Sequence, residues 1–175
     1  MSLIIPSSAE LLASFETGHF SNGPVIDIAQ RLLRHHTAQW KAEDRSRASA
    51  DDDSVLAVTK REIDQLNMVR TRLVDSINAW VADHVRQDSA AVLHTETLGS
   101  VIDRICIASV RSNQLHQIPH EKSRARLADQ QLRELTIAYD QLVKEMLEGT
   151  RRVPAWRTLK SYGENVRHQR HGEVT

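Results

Sequence analysis

Apolar residues recur at helical spacing through most of this chain, and little interrupts them. At 3.6 residues per turn, Val25, Ile28, Ala29 and Leu32 share one side of a helix. The pattern resumes with Leu56, Ile63, Leu66, Leu73, Val74, Ile77 and Val81, then with Leu98, Val101, Ile105, Ala108 and Leu115. Leu127, Leu132, Leu135, Ala138, Leu142 and Met146 form a last run. Six glycines, four prolines and 4% aromatic residues leave few turns and an aliphatic core, which favours long helices over a sheet. The expected fold is all-α: an antiparallel four-helix bundle with a short N-terminal helix and a C-terminal extension.

Local signals place the ends. Ser7-Ser8-Ala9-Glu10 has the capping-box pattern and predicts a short helix over 8–15. Pro24 suits the first turn of a second helix reaching about residue 48. Asp51, Asp52 and Asp53 offer N-caps for a third over 54–86. A fourth starts near Leu98, with Ser100 as a cap and Asp103 completing a capping box, and ends near Gln117. Pro119 stops it and can start a fifth, which Gly149 closes.

The 175 residues suit one domain: an arm over 1–23, a bundle over 24–149 and a basic extension over 150–175. Lysine plus arginine equals aspartate plus glutamate at 23 each, so no global field draws nucleic acid or an anionic membrane, and an anion site must be local. One cysteine, Cys106, excludes an intramolecular disulfide and a cysteine-built zinc site. With no secretory signal and no apolar run near ~20 residues, the expectation is a soluble cytoplasmic protein with neither nucleic-acid nor membrane partners.

Function is expected where the second helix changes chemistry. Its inward stripe continues from Leu32 into His36, Gln39, Trp40, Glu43 and Arg47. Polar groups in a stripe that a bundle keeps apolar are either paired structural groups or a site. A turn near Asp51 sets Glu43 opposite Lys60, Trp40 opposite Ile63 and His36 opposite Asn67, with Asp64 nearby and Arg70 inside the third helix's own stripe. A turn near Asp88 sets Arg111 level with Thr71 and Arg104 level with Asn78. Glu96 then falls about 39 Å from Lys60 at 1.5 Å per residue, so two regions, a bent helix or a second protomer must account for it.

Four blocks carry a family resemblance: WKAEDRSR over 40–47, KREIDQLNMVR over 60–70, TETLGSVIDR over 95–104 and LKSYGEN over 159–165. On these the chain resembles the bacterial family known as domain of unknown function 4254. The resemblance implies an all-helical cytoplasmic protein and brings no activity with it. The chain departs from the family pattern at Arg70-Thr71-Arg72, where Arg-Asn-Asp is expected, and at Gln114, where a late histidine is expected.

Several chemistries compete for these residues. Glu43, Asp44, Arg47, Lys60, Asp64, Asn67 and Arg70 can bind a small anion and move a proton, or can form a paired network that fixes helix register. The second block also bears a weak analogy to small helical mutases that grip dicarboxylates. Glu96 and Arg104 can serve an anion site joined by Arg151, Arg152, Lys160 and Tyr162, or merely begin a helix. His116 and His120 are a weak metal pair because Pro119 lies between them. Cys106 reads as packing. Trp156, Arg157, Lys160, Tyr162, Arg167 and Arg170 interleave aromatic and basic groups, as single-stranded nucleic-acid binders do, but neutrality favours Trp156 and Leu159 docking on the bundle.

The expectation drawn from this is an enzyme of a bacterial, specialised-metabolite type of pathway, using group-transfer, cyclisation or lyase chemistry. It takes no cofactor and no metal, acts on a small anionic metabolite, and is a homodimer. Glu43, Asp44 and His36 are its catalytic candidates. Trp40, Arg47, Lys60, Asp64, Asn67, Arg70, Glu96, Arg104 and Arg111 are its substrate-binding candidates. The alternatives are a non-catalytic helical dimer or adaptor and a metal-dependent hydrolase.

Overall fold

A computed structural model describes residues 5–18, 23–49 and 52–156. Five helices dominate: α1 (Ser8–Thr17), α2 (Pro24–Ala48), α3 (Asp53–His84), α4 (Leu98–His116) and α5 (Lys122–Leu147). No described helix is long and apolar enough to cross a membrane.

The predicted caps are largely those observed. Ser7 accepts from the Glu10 amide and the Glu10 side chain reaches back to the Ser7 amide. Pro24 occupies the first turn of α2, and Asp52 accepts from the amides of Ser54 and Val55. At Gly149 φ is +73°, and the amides of Gly149 and Thr150 bond back to Met146 and Glu145, the left-handed ending that glycine permits. Two starts differ from expectation. Thr97, not Ser100, caps α4 by accepting from the Ser100 amide. Pro119 lies in a turn, and α5 begins three residues later at Lys122.

The core occupies one end of the molecule. Leu11 of α1, Ala29 and Leu32 of α2, Ile77 of α3, Leu98, Ile102 and Ile105 of α4 and Tyr139 of α5 are fully buried there. α1 is seated by Ser8, whose amide and hydroxyl both donate to Asp140 of α5, and by Tyr139, whose hydroxyl donates to the Pro6 carbonyl at 2.7 Å. α4 packs on α2, α3 and α5, whereas α5 meets α1 and α4 but, at the level of the backbone, neither α2 nor α3. Short α1 therefore fills the space between α2 and α5 at one end only. Toward the other end, Leu56, Ile63 and Leu66 of α3, expected in the core, are only partly buried because the polar half of α2 lies against them.

Register also differs from the layer arithmetic. Arg45 bonds to Glu62 and Gln39 lies 3.5 Å from Asn67, about a turn further along α3 than a turn at Asp51 implies. Asn78 meets Gly99 instead of Arg104, because the 85–97 connection doubles back and α4 starts alongside Asn78. Gly99 makes this close approach possible: a Cβ there would stand 2.5 Å from the Val74 carbonyl oxygen.

A two-residue parallel pairing was not anticipated. In it β1 (Val92–Leu93) and β2 (Arg151–Arg152) align Val92 with Arg151 and Leu93 with Arg152. It anchors the chain after α5 to the α3–α4 connection, and Val153 just beyond is buried in the core.

Candidate functional site

The α2 stripe passes from core to surface along its length, and its chemistry changes in step. Leu32 is fully buried, His36 is 7% exposed, and the side chains of Glu43 and Arg47 are 43% and 64% exposed. Where burial ends, three helices meet on one carboxylate. His36 Nε2 of α2 lies 2.7 Å from Asp103 Oδ1 of α4, and the Arg70 Nε of α3 donates to the same oxygen at 3.0 Å. Arg70 Nη2 completes a two-pronged grip on Oδ2. Burial alone would raise the Asp103 pKa, but the hydrogen bonds from His36 and Arg70 outweigh it and hold the group below the usual carboxylate value. An ionised carboxylate only accepts, so His36 Nε2 carries a proton; in a neutral ring Nδ1 is then the basic nitrogen.

Beside this cluster lie three adjoining hollows. The smallest, about 210 Å³, is bordered by His36, Trp40, Glu43, Arg70, Ile107 and Arg111. A hollow of about 420 Å³ joins Arg70 and Asp103 to Glu96, Arg104 and Gln131. The widest, about 710 Å³, runs between Trp40, Glu43, Asp44 and Arg47 of α2 and the α4–α5 turn. Arg111 borders all three. Together they form one groove.

Most charges along the groove are already matched. Arg47 bonds to Asp44 at 2.8 Å and approaches Glu43 at 4.0 Å, Arg104 bonds to Glu96 at 2.6 Å, and Arg124 bonds to Glu121 at 2.9 Å. Arg111 differs. Among the described residues it makes no ion pair, and its Nη1 donates only to the neutral Gln131 Oε1, at 3.3 Å.

The candidates therefore divide. His36, Trp40, Glu43, Asp44, Arg47, Arg70, Glu96, Arg104 and Arg111 border one groove within a single chain, so the expected gap between two regions closes without a bent helix or a second protomer. Lys60 and Asp64 lie exposed on α3 outside the three hollows, and Asn67 meets Gln39 behind them. The 39 Å separation was measured from Lys60, which is not part of the groove.

The remaining candidates are engaged elsewhere. Arg151 bonds to Glu145 and Arg152 to the Ala91 carbonyl, so both secure the segment that follows α5. Trp156 is 60% exposed rather than docked; Val153 and Pro154 do the docking. Arg157, Leu159, Lys160, Tyr162, Arg167 and Arg170, with the 159–165 block, lie outside the described residues. His116 bonds to Asp129, and among the described residues no three His, Cys, Asp or Glu side chains gather as a metal set. Cys106 is fully buried, its thiol pKa pushed up by burial and then by Asp103.

Sequence reasoning missed Asp103 as a site residue and all of α5. Asp103 had been read as part of a helix start. Its signal was spacing: it lies one turn after Gly99 and three residues before Cys106, on the buried face of α4.

A family model described as "Protein of unknown function (DUF4254)" matches residues 27–155, a span that holds every groove residue. No curated protein and no solved structure matches the chain.

Proposed function

The chain belongs to the DUF4254 family, and from that premise and the groove we propose that it is an enzyme that binds a small anionic metabolite against Arg111 and moves a proton with His36 or Glu43. The observation that carries this reading is Arg111: a guanidinium that makes no ion pair among the described residues, at the junction of three hollows in a groove whose other charges are largely paired. A guanidinium is a planar fork suited to carboxylate or phosphate, and the neutral Gln131 leaves most of the donors of this one available. His36 has the arrangement of a general base held in one tautomer by a buried carboxylate, with Arg70 positioning that carboxylate. Glu43, half-exposed on the same hollow, is the second proton carrier. Arg70 and Arg47, already bound to carboxylates, orient these groups more than they hold substrate.

The proposal keeps an antiparallel four-helix bundle as the frame, a cytoplasmic setting and a homodimer as the assembly, though the groove needs no second protomer. A thermal-shift panel of small carboxylates, phosphates and nucleotides tests it. At least one anion should raise the melting temperature of the wild type, leave Arg111→Gln unmoved and still stabilise Lys60→Gln. No shift with any anion, or equal shifts in wild type and Arg111→Gln, would sink the reading.

A second reading, an adaptor whose polar stripe is a packing network, draws support from one observation. Asp103 is bonded by both α2 and α3, so the cluster also works as a clasp between three helices.

A further inference from the structure

We infer that the groove takes a carboxylate attached to an apolar body, with the carboxylate at Arg111 and the body along the widest hollow over Trp40, Leu115 and Leu127. This rests on the anion-groove reading and adds the chemical class of the ligand. Three observations carry it.

The head group follows from charge. Among the described residues Arg111 is in no ion pair, and one negative charge matches its guanidinium. Gln131 gives its Oε1 to Arg111, which leaves its amide N–H₂ as a further donor for the same anion.

The body follows from the floor of the hollow. Leu115, Ala125 and Ala128 form a second apolar cluster, separate from the main core, where α4 turns into α5. Leu115 and Ala128 border the widest hollow together with Leu127, which is 59% exposed. An aliphatic side chain that open to water, above an apolar floor and across from Trp40, gains free energy when an apolar group covers it.

Size and rim agree. The hollow's volume of about 710 Å³ falls in the range of ligand pockets. On its rim Arg124 is matched by Glu121, and Arg47 stands between two carboxylates, Asp44 at 2.8 Å and Glu43 at 4.0 Å, so a second anionic group would find no unmatched cation there and would meet Glu43. A dianionic or polyphosphate ligand lacks partners for its further charge, whereas an acyl or aryl carboxylate uses both ends of the groove.

Titration with acetate and with octanoate, followed by NMR of the Arg111 side-chain and Trp40 indole N–H signals, tests this in wild type, Arg111→Gln and Leu127→Ser. Octanoate should bind at least about tenfold tighter than acetate and move both signals, since each buried methylene contributes to transfer from water. Leu127→Ser, at an exposed position, should reduce octanoate affinity several-fold and leave acetate affinity within about twofold. Arg111→Gln should weaken both. Affinities within twofold of each other, or an unchanged octanoate affinity in Leu127→Ser, would overturn the apolar body. The anion site would survive that outcome if acetate still moved the Arg111 signal. If neither ligand moves it, the carboxylate class falls, and the anion reading is then decided by the phosphate and nucleotide arms of the thermal-shift panel.

Discussion

His36 and Asp103, 67 residues apart in sequence, share a 2.7 Å hydrogen bond at the level where the core gives way to the groove. Arg70 holds the same carboxylate from the other side. Asp103→Asn keeps the shape but removes the buried charge that Arg70 grips with two groups and that His36 Nε2 faces. A loss on the order of 3 kcal/mol is expected, the size seen when one member of a buried pair is removed. Urea denaturation of the two proteins at neutral pH measures it.

That loss should depend on pH with a definite sign. Asp103 titrates below its ordinary value in the folded protein, so the unfolded chain takes up the proton first as pH falls. The stabilisation is therefore complete above the ordinary carboxylate pKa of about 3.9 and is lost as pH drops through the lower folded value. In the carboxylate range the stability gap between wild type and Asp103→Asn should narrow below about pH 4. A gap that widened between about pH 4 and about pH 2 would contradict the ion pair.

Helix positions and most caps were legible in the sequence because they depend on neighbours within a turn: Ser7 with Glu10, Pro24, Asp52 and Gly149 each act locally. The register of α4 was not, since it follows from where the 85–97 connection folds and from how closely Gly99 lets two backbones approach. The change of chemistry along α2 was readable; the groove beside it was not, because α5 supplies one of its walls and no local signal placed α5 there. The neighbours of the α2 stripe were legible only in part: Arg70 and Arg111 were among the candidates and border the groove, Lys60 and Asp64 lie outside it, and Asp103 was hidden. A residue such as Asp103 satisfies a capping pattern and a burial pattern equally well, and only the tertiary contact decides between them.

Gly99 gives a direct test of that register. A Cβ added there would meet the Val74 carbonyl oxygen at 2.5 Å and the Asn78 Oδ1 at 2.6 Å, and the former, being backbone, cannot swing aside. Gly99→Ala should push α4 off α3 and cost about 1–3 kcal/mol, against the gain that alanine normally brings to a helix. Hydrogen exchange should show faster opening of the Gly99 amide, which donates to Asn78 at 2.9 Å. Stability equal to or above wild type would contradict the packing described.

Tyr139 tests how α1 is seated. Its buried hydroxyl donates to the Pro6 carbonyl, so Tyr139→Phe should cost about 1 kcal/mol and loosen α1 while the rest of the core persists. Burial, then the charges of Asp140 and Glu10, push its phenol pKa far above the ordinary value. The unfolded chain loses that proton first, so wild-type stability should fall as pH rises past about 10. Tyr139→Phe lacks this group and should show a shallower decline, which denaturation at pH 9 and pH 11 can resolve.

Glu43 and Arg111 decide between an enzyme and a packing network. If the groove charges serve mainly to fix helix register, neutralising either residue should destabilise the fold. Both lie near the surface: Glu43 is 43% exposed at its side chain and 4.0 Å from Arg47, and Arg111 bonds only to Gln131. Contacts of that kind contribute at most about 0.5–1 kcal/mol. The other arginines on these hollows are already paired, and Glu43 shares Arg47 with Asp44, so neutralising Arg111 strands no carboxylate and neutralising Glu43 relieves like-charge repulsion. Glu43→Gln and Arg111→Gln should therefore unfold within about 0.5 kcal/mol of wild type, or slightly above it, while Arg111→Gln loses anion-induced stabilisation. Parallel chemical denaturation with and without the best-stabilising anion reads both quantities, and a loss beyond about 2 kcal/mol in the ligand-free variants would favour the network.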